Sequence, residues 1–333
     1  MIGSRTTAAF PLVFAFALVA CQPASAGEAE EKGNVAWLVK RGDRDATFAL
    51  GRLADRNAAA EKAISAMAPS DALSLTTWQG VVRGAPWADK LVRRELATGN
   101  ADMLASSMTP ADPHLLPFVD DLEKAIVAQN KAAPNVASIL ASIGPGARAS
   151  VERRMREAPT RDVMCAAIDT VHASDDARSA LLALSPADRD SQACTAAIVR
   201  MASTHENVRK WLGQFAEPGL LSVAGKETMP CSPLSETFRI VLAERAADRS
   251  LVVPLRHAIE RCTREMDLVV SAALAARPLV SGVVASAMDP RGTATADMRA
   301  TCVWLRDHQA QAVDKGQVAT LLTAGCKVAL GTR

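Results

Sequence analysis

The chain repeats itself. Cys165-Ala166-Ala167-Ile168, followed by Val171, Ala173-Ser174, Arg178 and Leu181, recurs as Cys194-Thr195-Ala196-Ala197-Ile198, followed by Met201, Ala202-Ser203, Arg209 and Leu212. The offset drifts from 29 to 31, as it does when a repeat carries a variable turn. A fainter echo links Leu50-Gly51-Arg52-Leu53 with Leu140-Ala141-Ser142-Ile143, each followed by a turn and an Ala-rich segment. Two helices in roughly 30 to 40 residues, with small residues where they meet, is the pattern of an α-solenoid. One helical hairpin cannot bury its own apolar face, so each copy demands neighbours.

The spacing of apolar residues supports helices throughout. Val136, Ile139, Leu140 and Ile143 stand at i, i+3, i+4 and i+7, and Gly144-Pro145-Gly146 stops that helix. Pro117 opens another, with Phe118, Val119, Leu122, Ala125 and Ile126 on one face, and Pro86 opens a third that ends near Gly99. Asp43 to Asp55 and Ala58 to Met67 read as a hairpin turning at Asp55-Arg56-Asn57. No stretch alternates convincingly enough to predict a strand, so the expected class is all-α. Leu268 to Met288 is interrupted by Arg277-Pro278 and reads as buried helices rather than a membrane span.

These residues carry a family resemblance. Ala49-Leu50-Gly51-Arg52-Leu53-Ala54-Asp55, leading into Ala58-Ala59-Ala60-Glu61-Lys62-Ala63-Ile64, resembles the second half of a HEAT repeat. So does Ile139-Leu140-Ala141-Ser142-Ile143-Gly144-Pro145-Gly146-Ala147-Arg148, leading into Val151. The resemblance implies a stack of helical hairpins that binds other proteins, with no catalytic residues to transfer. The chain is similar in this to exported bacterial lipoproteins that carry such repeats.

The N-terminus reads as an export signal: Arg5, an apolar run from Ala8 to Ala20, then Leu18-Val19-Ala20-Cys21. Cys21 falls where a lipoprotein signal peptidase expects the residue that is then lipidated. The alternative is ordinary cleavage after Ala24-Ser25-Ala26, leaving a soluble periplasmic or secreted protein. Gln22 after the Cys, in place of Asp, favours the periplasmic face of the outer membrane. The expected layout is a signal over 1–20, a polar tether over 21–33, HEAT-like repeats over 34–157, and a Cys-containing helical part over 158–333.

Six cysteines remain after Cys21: Cys165, Cys194, Cys231, Cys262, Cys302 and Cys326. An even number in an exported chain reads as disulfides, with about 15 pairings open. Neighbour pairing (165–194, 231–262, 302–326) would tie each repeat to the next. The chain-entropy model assigns such loops roughly 3 to 4 kcal/mol each. No Cys-x-x-Cys or paired Cys/His spacing argues for zinc.

Candidate chemistry is sparse. His257 and Glu260 stand at i, i+3, without a second such pair to complete a metal site. His172 with Asp175-Asp176, and His205-Glu206, fall in equivalent turns of the two copies, where Ser174 and Ser203 read as helix N-caps. Asp112-Pro113-His114 is a loop tripeptide without a partner. Trp37, Trp78, Trp87, Trp211 and Trp304 read as core residues rather than a binding strip. Phosphate loops, dinucleotide fingerprints and nucleophile elbows are absent from the sequence. Lys+Arg 38 against Asp+Glu 36 gives no electrostatic case for nucleic acid. Tyr is absent and aromatics are 4%, so stacking platforms for sugars are scarce. The sequence therefore points to a non-catalytic envelope lipoprotein that needs no cofactor or metal, meets the membrane through its lipid and binds an unknown protein partner. A passive structural envelope protein is the alternative, and an enzyme on an α/α toroid is the remote one.

Overall fold

Side-chain caps set where the first helices begin. Ser25, Asn34, Asp43, Asn57 and Ser70 each accept a hydrogen bond from a backbone N–H in the helix that follows. Each satisfies a donor that a helix N-terminus otherwise leaves open. The computed structural model describes residues 23–245 and 248–276, with a few positions beyond them (283–284, 287, 302–303, 306–307, 309–311, 319 and 322–323). The described residues are mainly helical and contain no strand, which fits the all-α expectation. They also contain no helix long and apolar enough to cross a membrane.

The chain divides into two compact units, Met1–Leu91 and Val92–Arg333. The boundary expected at 157–158 thus falls inside the second unit.

The first unit holds α1 (Ala26–Glu31), α2 (Val35–Arg41), α3 (Arg44–Ala54), α4 (Ala58–Ser65) and α5 (Asp71–Val82). Next comes α6 (Pro86–Leu96), which crosses the division. Residues 26–31, part of the stretch read as a polar tether, are thus helical: α1 packs on α3, burying Ala26 and Ala29. Outside that contact Glu30 pairs with Arg52 at 2.6 Å. Helix α3 packs on both α4 and α5. Gly51 permits the second approach, because a Cβ there would stand 2.2 Å from the Thr76 side chain. Trp78 and Trp87 are buried here, and the Trp87 indole N–H donates to Asp55 at 2.8 Å.

The second unit continues with α7 (Ala101–Ser106), α8 (Val119–Gln129), α9 (Pro134–Ser142) and α10 (Arg148–Arg156). Then come α11 (Ala158–Ile168), α12 (Asp175–Leu182), α13 (Pro186–Arg189) and α14 (Gln192–Thr204). The last are α15 (Glu206–Phe215), α16 (Pro218–Val223), α17 (Cys231–Glu244), α18 (Val252–Arg261) and α19 (Thr263–Ala276). Pro117 lies inside a 3-10 segment, Pro113–Phe118, that leads into α8.

Packing in this unit follows an alternation. Helices α7, α9, α11, α14, α16 and α18 each pack on the next, forming one row. In a second row α8 packs on α10 and α10 on α12, then α15 on α17 and α17 on α19. Short turns join the rows, as between α8 and α9, α10 and α11, or α14 and α15. Buried side chains come from both: Leu122, Ile126, Leu140, Met155, Ile168, Ile198, Leu212, Phe238 and Leu255 are all sealed from solvent. Burial of each such side chain is worth about 1.5–3 kcal/mol relative to exposure. Ile168 and Ile198 occupy successive helices of the first row, as their places in the two copies suggest.

Two disulfides cross between row neighbours. Cys165–Cys194 joins α11 to α14 across 29 residues, and Cys231–Cys262 joins the start of α17 to the entry of α19 across 31. The separations match the repeat offset. Cys302 is also disulfide-bonded and buried. Cys21, Cys326 and Trp304 lie outside the described residues.

Candidate functional site

Arginines that are buried or half-buried fasten successive repeats in the second unit. Arg161 donates to the carbonyl of Met155 at 2.8 Å and to Asp188, 27 residues on, at 2.9 Å. Arg189 donates to the Leu182 carbonyl and to Glu217, 28 residues on, at 2.8 Å, while lying over the Trp211 ring. Arg209 donates to the carbonyls of Ala202 and Ser203 and forms an ion pair with Glu236 at 2.9 Å. Each side chain thus satisfies the end of the preceding helix and reaches an acid in the following repeat. Composition alone treats an arginine as surface, so sequence reasoning missed these clasps. An Arg followed by an acid 27 or 28 residues later, close to the repeat offset, was the available signal.

One junction lacks this clasp. Arg178 is the repeat counterpart of Arg209, yet its guanidinium turns back to Asp175 at 2.8 Å. Glu206, in the following repeat, pairs instead with Lys210 at 2.6 Å. Between them the second row opens into a cleft of about 470 Å³, lined by Asp175, Arg178, Ser179 and Leu182 of α12 and by residues 204–208. Its volume lies within the range of small-ligand pockets. A second cleft, about 550 Å³, separates α13 and α14 from α16, and there the Arg189–Glu217 clasp is closed.

The α12/α15 cleft brings together residues that the repeat alignment had paired, Asp175 with His205 and Glu206; His172 and Asp176 do not line it. The Ser174 hydroxyl caps α12 by accepting from Ala177 N–H. Ser203 is no cap: α14 runs on to Thr204, and the Ser203 hydroxyl donates to the Val199 carbonyl within that helix. The second copy extends its helix where the first has a turn, which accounts for the drift in offset.

A hydrogen bond from Lys210 holds the Glu206 carboxyl below its ordinary value, so it stays ionised near neutrality. Among the described residues no three His, Cys, Asp or Glu side chains group as metal ligands. His257 does not pair with Glu260; its Nδ1 lies 3.0 Å from the Ser222 hydroxyl, in the packing of α16 on α18. Asp112 accepts from both the backbone N–H and the ring of His114, closing that tripeptide on itself. Trp37 and Trp211 are half-buried beneath Arg41 and Arg189.

Comparison with protein-family models, curated proteins and solved structures finds no match to this chain.

Proposed function

We propose that this chain is an exported, non-catalytic helical-repeat scaffold, held at the periplasmic face of the outer membrane by lipid on Cys21, that binds another protein at the α12/α15 junction. The observation that carries this reading is the open junction itself. Elsewhere in the second unit the clasping arginines Arg161, Arg189 and Arg209 reach acids of the next repeat; here Arg178 and Glu206 face one cleft and are each engaged elsewhere. The alternating rows and the disulfides between neighbours within a row support the solenoid that the HEAT resemblance implies. Disulfides in turn suit an exported protein.

Photo-cross-linking in intact cells tests the reading. A cross-linker at Asn207, within the cleft, is expected to give a discrete protein adduct, and one at Gln214, on the same helix outside it, is not. The adduct is expected to fractionate with the outer membrane and to lose that location in Cys21→Ser. Equal labelling from both positions, or none, contradicts the scaffold; labelled palmitate absent from the wild-type protein contradicts the anchor.

A further inference from the structure

The disulfides Cys165–Cys194 and Cys231–Cys262 differ in what can reach them. Cys165 and Cys194 sit inside α11 and α14 and are fully buried. Cys262 is also buried, at the single-residue corner between α18 and α19. Cys231 is only half-buried, at the first position of α17. Thiol–disulfide exchange begins with an attacking thiolate in line with one sulfur, so access decides which bond reacts in the folded protein. We propose that Cys231–Cys262 is an exchange site for a dithiol reductant, entered at the Cys231 sulfur, and that Cys165–Cys194 is a permanent staple.

The steps balance. A thiolate of the reductant attacks Sγ of Cys231, forming a mixed disulfide; the Cys231–Cys262 bond breaks, and Cys262 leaves as a thiolate that takes a proton from solvent. The second thiol of the reductant then attacks its own sulfur in the mixed disulfide, closing the reductant's disulfide and releasing Cys231. Two electrons and two protons pass from the dithiol to the cysteine pair. The position of Cys231 at the N-terminus of a 14-residue helix favours it as the departing thiolate in this second step.

The fold is built to survive the opening. Arg261, beside Cys262, donates to the backbone carbonyl of Met229, two residues before Cys231, and to that of Gly225, six residues before it. These bonds join the same two corners as the disulfide, so the sulfurs remain positioned to close again. The inference stands on the burial of the cysteines and is independent of the scaffold reading.

Native-state reduction decides it. The oxidised full-length protein is exposed to dithiothreitol without denaturant, quenched with an alkylating agent at intervals, and mapped by peptide mass. Cys231 and Cys262 are expected to be alkylated about tenfold or more faster than Cys165 and Cys194. With a monothiol the trapped mixed disulfide is expected on Cys231. Equal rates, earlier loss of Cys165–Cys194, reaction only in denaturant, or an adduct on Cys262 would each overturn the assignment.

Discussion

Arg209 meets Glu236 at 2.9 Å across the boundary between α15 and α17, and the two helices pack closely there. One repeat earlier Arg178 holds only Asp175, three residues back, beside a cleft. The same residue type at corresponding positions therefore closes one junction and leaves the other open. The difference is that Glu236 pairs with Arg209, whereas Glu206 pairs with Lys210 of its own helix.

That contrast fixes an expected order of stability losses. Arg209→Met removes two carbonyl partners and an ion pair from a largely buried site, so a loss of about 1–3 kcal/mol is expected. Arg178→Met keeps the aliphatic packing and gives up one exposed acid, so less than about 1 kcal/mol is expected. Urea unfolding of both variants measures this. Equal losses would mean that the clasp adds nothing to the junction.

Ile168→Asp and Ile198→Asp are each expected to prevent stable folding or to cost about 4 kcal/mol or more, because each places a carboxylate among sealed helix contacts. Asp175→Ala and Glu206→Ala, whose side chains are largely exposed, should stay within about 0.5 kcal/mol of wild type. Thermal melts monitored by circular dichroism distinguish the pairs. A soluble, wild-type-like Ile198→Asp protein would contradict the packing of the first row.

Asn130 turns the chain between α8 and α9 with φ 47° and ψ −116°, a conformation suited to glycine, and its buried Oδ1 has no partner. Asn130→Gly is therefore expected to raise stability by about 1 kcal/mol, despite the added freedom of the unfolded chain. A lower urea midpoint would show that the amide makes a contribution the geometry does not reveal.

Two acids should respond to pH with opposite sign. Burial raises the Asp169 pKa against the lowering effect of Arg200. The folded state then binds that proton more tightly than the unfolded chain, so stability falls as pH rises from the ordinary carboxylate value through the raised one. For Asp248, burial is outweighed by hydrogen bonds from Ser250 and Arg245, leaving the pKa lowered. Its contribution is present above the ordinary value and is lost as pH falls through the lowered one. At pH 7 Asp169→Asn is expected to unfold at higher urea than wild type and Asp248→Asn at lower. Midpoints recorded from pH 3 to 7 test both signs, and a reversal of either would refute its assigned cause.

Much of this architecture was legible in the chain itself. Local signals were sufficient where local chemistry decides: the turn ending at Asn57 before α4, Ser174 capping α12, and the cysteine spacing that matches the repeat offset. Ser203 misled because its place in the alignment suggested a turn, whereas the second copy continues its helix through that position. The arginine clasps stayed hidden for a different reason. Whether Arg178, Arg189 or Arg209 is surface or mortar depends on an acid almost a whole repeat away. That Arg178 and Glu206 each pair within their own helix rather than with one another is recorded by no local pattern.

The measurement that bears most directly on a disulfide-stapled helical ladder, and on its proposed place in an oxidising compartment, is a non-reducing peptide map of the protein purified from cell envelopes. We expect Cys165 linked to Cys194 and Cys231 linked to Cys262, each bond joining neighbours in one row of helices. Free thiols at these four positions, or a bond from Cys165 or Cys194 to Cys231 or Cys262, would contradict both the helix order and the compartment.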